Sequence, residues 1–241
     1  MKFSIVSARH LRPLIAAALF AVTSVATSAK DAVLHYLPLG SPDVTTLLAP
    51  PPLPDSPEQA ADLDTVRRVV SAAASNEVAA ANSERYFSVY NFTGVIGKFF
   101  NATNLPRTTA FFKKVQADAR TVTALGKDYF HRPRPFMVDT NLAVGELEKN
   151  FSYPSGHSTE NMVFALVLAE LLPEKRDALL AHARLMGWHR VQIARHYPTD
   201  IYAGRVLAQA IVREFKKNTA FKKALAEVKT EVEAAQSAAK N

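Results

Sequence analysis

Apolar residues recur along this chain at the three- and four-residue steps of a helix, and no segment alternates in the manner of a strand. Leu63, Val66, Val69 and Val70 share one helical face, with Asp55 or Ser56 placed to cap its start. Further helices are predicted over residues 107–127, 156–172, 174–194 and 198–217. A last one carries Phe221, Leu225, Val228 and Val232 as an i, i+4, i+7, i+11 stripe. Ahead of them prolines crowd residues 38–57, including Pro50, Pro51 and Pro52. Proline fixes φ and has no N–H, so this stretch reads as an extended arm on the surface, with neither helix nor central strand. No repeat or linker interrupts residues 60–235. The expected fold is all-α, a single-domain helical bundle over residues 59–241 behind a Pro-rich arm at 30–58.

Residues 1–29 differ from the rest. Lys2, Arg9 and Arg12 precede an apolar run from Leu14 to Ala26, and small residues at Ala26, Thr27, Ser28 and Ala29 follow. That order predicts a signal peptide cleaved after Ser28 or Ala29, and hence a periplasmic or secreted protein. The run is shorter than the roughly 20 residues a membrane span needs. No later stretch of comparable length is free of charge, so no stable membrane insertion is expected. The leader also carries part of the net charge of +7; without it, 26 basic residues face 22 acidic ones. With no basic run among them, a nucleic-acid partner is not expected. Cysteine is absent, which removes disulfides and thiolate chemistry.

Candidate chemistry lies in three segments. The first holds Lys127, Arg132 and Arg134, the last two each followed by a proline, Pro133 and Pro135. A residue before proline disfavours helical geometry, so the preceding helix should stop near Lys127. In the second, Pro154, Ser155, Gly156 and His157 open a strongly apolar helix, whose free N–H groups and positive dipole end suit an anion. In the third come Arg190, His196 and Asp200. Six residues of unbroken helix would turn Arg190 and His196 apart, so the helix must break between them; Pro198 is the expected cause. Asp200 can then reach one nitrogen of His196, fixing its tautomer and raising the nucleophilicity of the other. Each segment alone has an ordinary reading, as cations at a helix C-terminus, a Ser–Gly cap or a surface His–Asp pair. Together they assemble what is needed to grip a phosphate and cleave its ester.

The pattern Lys-x6-Arg-Pro, Pro-Ser-Gly-His, Arg-x5-His-x3-Asp resembles that of the type 2 phosphatidic acid phosphatase superfamily, and within it the secreted bacterial class A non-specific acid phosphatases. The likeness extends to residues 47–52, 166–170 and 218–221. It implies the helical bundle shared with vanadium haloperoxidases and a metal-independent phosphomonoesterase that needs no cofactor. In that scheme His196 is the nucleophile and passes through a phosphohistidine, Asp200 orients it, and His157 is the general acid and base. Lys127, Arg134, Ser155, Gly156 and Arg190 bind the phosphate. Small phosphate esters are the implied substrates, phosphotransfer to alcohols an accompanying activity, and a homo-oligomer the implied assembly. His189 departs from the pattern, which has serine there, and adds a titratable neighbour to Arg190. Three alternatives stay open from sequence: a vanadium-dependent haloperoxidase, a phosphate-binding protein without turnover, and action on lipid phosphates.

Overall fold

Thirteen of the sixteen residues of the helix Gly156–Leu171 are buried, and the other elements are laid around it. A helix apolar on every side has no face to give to water, so it must become the axis of its bundle. The structure is a computed structural model that describes residues 33–239; the expected leader at residues 1–29 lies outside them. In chain order the helices are α1 (Val44–Leu47), α2 (Pro57–Ala72), α3 (Ser75–Ser83), α4 (Thr93–Ile96), α5 (Pro106–Phe130), α6 (Pro135–Val138), α7 (Gly156–Leu171), α8 (Arg176–Gln192), α9 (Pro198–Phe215) and α10 (Thr219–Ala238). Among the described residues there is no strand. The fold is all-α, as the periodicity predicts. No helix among those residues is long and apolar enough to cross a membrane.

α7 packs against α5, α8 and α9. α5 turns Phe112, Val115, Ala119 and Val122 inward, and Phe112 meets Phe164 of α7 edge-on at 5.5 Å. α10 closes the far end, where Phe221 stacks on Phe215 at 5.0 Å beside Tyr36. It also caps α5 from outside: the Glu231 carboxylate accepts from the N–H groups of Arg107 and Thr108 at 3.0 and 2.7 Å. A carboxylate at a helix N-terminus satisfies orphan donors and complements the dipole. The arm is fixed by the buried Asp118, which accepts from the N–H groups of His35, Tyr36 and Leu37.

Several boundaries differ from expectation. The arm is not extended throughout: its proline-free residues 44–47 form α1, one turn capped by the Asp43 side chain on Thr45 N–H. Ser56, rather than Asp55, caps α2. α3, α4 and α6 lie outside the predicted helices. α5 runs three residues past Lys127, where His131 in the left-handed region (φ 50°) ends it. α8 ends at Gln192, so the break ahead of His196 precedes Pro198. Ala194 takes a left-handed turn (φ 54°), and the Arg190 carbonyl accepts from both Arg195 and His196 N–H groups. Pro198 sits at the first position of α9 instead, where its missing N–H costs nothing.

Two glycines let the α7 start sit deep in the bundle. A Cβ on Gly204 of α9 would lie 2.8 Å from the Ser155 carbonyl oxygen and 3.1 Å from Thr159 N. One on Gly126 of α5 would lie 2.8 Å from Pro154 Cδ. Backbone cannot move aside as a flexible side chain can, so Gly204→Ala is expected to cost about 1–3 kcal/mol, as overpacking typically does. Thermal unfolding measures it; an unchanged Tm would contradict the close approach.

Candidate active site

The end of α5, the start of α7 and the α8–α9 corner converge on one cleft of about 600 Å³. Its wall includes Lys127, Arg134, Gly156, His157 and His196 of the residues singled out from sequence, with Arg85, Tyr86, Phe87, Gln116, Arg120, Glu148, Asn150 and Glu160. Ser155, Arg190 and Asp200 do not line it; they stand directly behind.

His196 lies at the floor, 2% exposed. Its Nδ1 is 3.3 Å from Asp200 Oδ2 and 3.3 Å from Ser152 Oγ, while Ser152 Oγ donates to the same carboxylate oxygen at 2.5 Å. A proton on Nδ1 facing Asp200 leaves the Nε2 lone pair free, and that atom is 3.3 Å from Arg134 Nη1. Burial, reinforced by Arg134, Lys127 and Arg190, drives the His196 pKa well below the usual imidazole range. The ring is therefore a neutral base with its lone pair held among cations.

Asp200 is fully buried and is held from every side. Arg132 Nη1 donates to it at 2.6 Å and Tyr197 N–H at 2.9 Å. Arg132 itself, left unplaced by sequence, lies flat on the Tyr197 ring at 3.8 Å and donates through Nη2 to Asp62 and Gln59 of α2, each at 2.7 Å. Desolvated ions are tolerable only when paired this fully. The chain Asp62–Arg132–Asp200–His196 thus runs from α2 to the cleft floor.

The cations are held with equal care. The pre-proline bend extends Arg134 (ψ 158°) and turns it back under the cleft. It donates to the Asn150 carbonyl at 2.8 Å, Asn150 Oδ1 at 2.6 Å and the Arg195 carbonyl at 2.7 Å. Lys127 Nζ donates to the Phe151 carbonyl at 2.5 Å. Burial first, then the neighbouring Arg134, brings the Lys127 pKa down to about 7. Arg190, 2% exposed, is lowered by burial to about 10 and remains charged at physiological pH. Its Nη2 donates to Glu148 Oε1 at 2.5 Å.

His157 occupies the first turn of α7. Its ring packs on Phe87 at 4.1 Å, and Nε2 is 3.3 Å from the Arg85 carbonyl. Burial, then Arg190 and His196, depresses its pKa as well. Ser155 acts as the α7 cap, its Oγ accepting from Ser158 N–H at 3.3 Å, and it does not face the cleft. Gly156 does. His189 turns away and pairs with Glu84 of the turn after α3 at 2.6 Å. The unusual residue beside Arg190 is therefore spent on a neighbouring element. Tyr86 and Phe87 stand at the mouth with Glu148 and Asn150, whereas Phe92, Ile96 and Phe100, further along the same segment, are core.

With this geometry, the comparisons with known proteins agree. Residues 115–222 match the PAP2 superfamily, a span that contains all three segments. A protein of Salmonella typhimurium named non-specific acid phosphatase is 30% identical over 216 residues, covering 86% of each chain. The chain belongs to the PAP2 superfamily. Among its members, the acid phosphatase of Zymomonas mobilis is 27% identical over 82% of this chain and 78% of its own, so the likeness to acid phosphatases runs beyond the motifs. A lipid A 1-phosphatase of Rhizobium etli is 34% identical over 40% of this chain and 41% of its own, a likeness of part of the chain only.

Proposed function

We propose that this protein is an acid phosphatase that hydrolyses small phosphate monoesters through a phosphohistidine on His196. The observation that carries the proposal is the setting of His196: Nδ1 lies 3.3 Å from Asp200 and Nε2 3.3 Å from Arg134, at the floor of a cleft that Lys127 and His157 also line. A lone pair aimed into a cationic cleft is poised for in-line attack on phosphorus. In the first step the Nε2–P bond forms as the P–O ester bond breaks, and the departing oxygen takes a proton from His157. In the second, His157 removes a proton from water, the water oxygen attacks phosphorus and the Nε2–P bond breaks. Alcohols can enter in place of water, giving phosphotransfer.

Lys127 and Arg134, with Arg190 behind them, offset the charge on the equatorial oxygens, joined by the Gly156 N–H at the helix start. Three fixed side-chain cations supply the charge stabilisation that a divalent ion provides in other phosphoryl transfers, so we propose a reaction independent of metal. Burial is the main cause of the depressed His157 pKa and persists, but a phosphate dianion offsets the further contribution of Arg190 and Arg134 and so favours the protonated ring needed for the first step. The amino-terminal segment points to export, into a periplasm or the medium. Phosphate release from an aryl phosphate in EDTA, followed between about pH 4 and 8, tests the proposal, since a carboxylate–imidazole–cation site of this kind should work in mildly acidic conditions. Absence of turnover throughout would overturn it.

Lys127 makes the alkaline side specific. Below about 7 its ammonium is charged and holds phosphate; above that pH the amine is neutral and the hold weakens. Arginine stays protonated throughout. The ratio of phosphate inhibition constants, wild type to Lys127→Arg, cancels the titration of phosphate itself. It is expected to be flat in acid and to widen above 7 by up to about ten-fold per pH unit. A ratio constant with pH would contradict this role for Lys127.

A further inference from the structure

One strap of chain, residues 144–152, supplies oxygens to four cations at and behind the cleft, Lys127, Arg134, Arg190 and Arg195. Lys127 donates to the Phe151 carbonyl, Arg134 to Asn150, and Arg195 to the Val144 and Glu146 carbonyls at 2.6 and 3.0 Å. These partners are neutral. Arg190 alone of the phosphate cations meets a carboxylate: Glu148 Oε1 lies 2.5 Å from its Nη2, while Glu148 Oε2 faces Arg195 Nε at 3.0 Å. Arg190 has little else. Its Nη1 reaches the Ala81 carbonyl at a long 3.5 Å, and its Nε has no hydrogen-bond partner among the described residues.

Position sharpens the point. Glu148 lines both the catalytic cleft and a smaller chamber of about 210 Å³; Arg190 lines the chamber but not the cleft, and Arg85 is shared by the two. The carboxylate therefore stands between Arg190 and the place where a phosphoryl group must lie. A carboxylate and a phosphate present the same oxygen geometry to a guanidinium, so they compete for one donor. Nothing in the core must shift to free it. Glu148 is partly exposed, its neighbours Glu146, Leu147 and Lys149 are exposed, and Gly145 holds a positive φ of 71°.

We infer that Glu148 is a displaceable carboxylate that occupies the phosphate donor of Arg190 and thereby sets the affinity of the site for phosphoryl groups. The inference deepens the phosphatase reading and rests on it. Substrate binding exchanges one anion for another at Arg190, and product release exchanges them back. The carboxylate thus weakens retention of inorganic phosphate at the price of weaker substrate binding.

Titration calorimetry with inorganic phosphate tests this on the folded protein, independent of turnover. Glu148→Gln, which keeps shape and loses charge, is expected to bind phosphate about ten-fold tighter or more, because the competent arrangement no longer competes with an internal anion. Glu148→Ala should act in the same direction. Any anion removed from a cationic cleft raises anion affinity somewhat, so the pair is repeated with Arg190→Ala. There the Glu148 substitution should change affinity little. Equal tightening in both backgrounds would reveal bulk charge rather than displacement and would overturn the inference. So would unchanged or weaker binding in both Glu148 variants while turnover persists, which would make Glu148 a support for Arg190. Failure of wild type and variants alike to bind phosphate, together with no turnover of an aryl phosphate, would instead sink the phosphatase reading itself.

Discussion

Replacing His196 with alanine is expected to reduce kcat for an aryl phosphate by about 10⁴-fold or more, the scale on which loss of a nucleophile is felt. The ring is small, and among the described residues its side-chain hydrogen-bond partners are Arg134, Ser152 and Asp200. Asp200 keeps Arg132, Ser152 and Tyr197 N–H as partners when the imidazole is gone, so the fold should persist. Phosphate should still bind, since Lys127, Arg134 and Arg190 are untouched. Loss of turnover with retained phosphate affinity separates a nucleophile from a binding residue. Substantial turnover in the variant would assign the attack to another group.

The second large effect belongs to His157 and depends on the substrate. A general acid matters most when the departing oxygen is strongly basic, and contributes roughly 10²–10⁴-fold there. His157→Ala should therefore cost about that much on an alkyl phosphate and far less on a nitrophenyl phosphate, whose leaving oxygen needs no proton. Steady-state kcat on the two substrates measures it. An equal loss on both would mean that His157 acts through position or packing, which its contact with Phe87 also supplies.

The helical bundle is legible in the sequence, as are most of the residues that it gathers at the candidate site, and the reasons differ for the rest. Lys127, Arg134, His157, His196 and Asp200 are legible because each stands near a helix end marked by proline or by Ser–Gly, where a bundle opens; Arg190 is legible only through its spacing to His196 and Asp200. Asp62 is not. It lies seventy positions ahead of Arg132 on an ordinary amphipathic helix, where an acid at a polar position reads as a surface group. Only the crossing of α2 over the α8–α9 corner makes it the anchor of Arg132.

The break before His196 was foreseen but misplaced. Proline announces itself, whereas a left-handed alanine stabilised by one doubly accepting carbonyl carries no sequence mark. Ser152 was passed over because it stands outside the Pro-Ser-Gly-His signature, although its hydroxyl bridges Asp200 and His196. Ser155, by contrast, was read as a phosphate donor and is seen as a helix cap with its oxygen turned inward. Glu148 carried no signal, since an acid in a charged loop is what a solvated loop contains. Its meaning comes from Arg190 lying behind it.

The measurement that bears most directly on this account is to quench the enzyme during turnover of a phosphate ester and locate the phosphoryl group by mass spectrometry under alkaline conditions. A nitrogen-linked phosphate survives base and is lost in acid. An acid-labile phosphoryl group is expected on His196, forming before alcohol or phosphate release is complete and absent from His196→Ala. Rapid turnover with no such adduct, and with the incoming water oxygen entering phosphate in a single step, would contradict it.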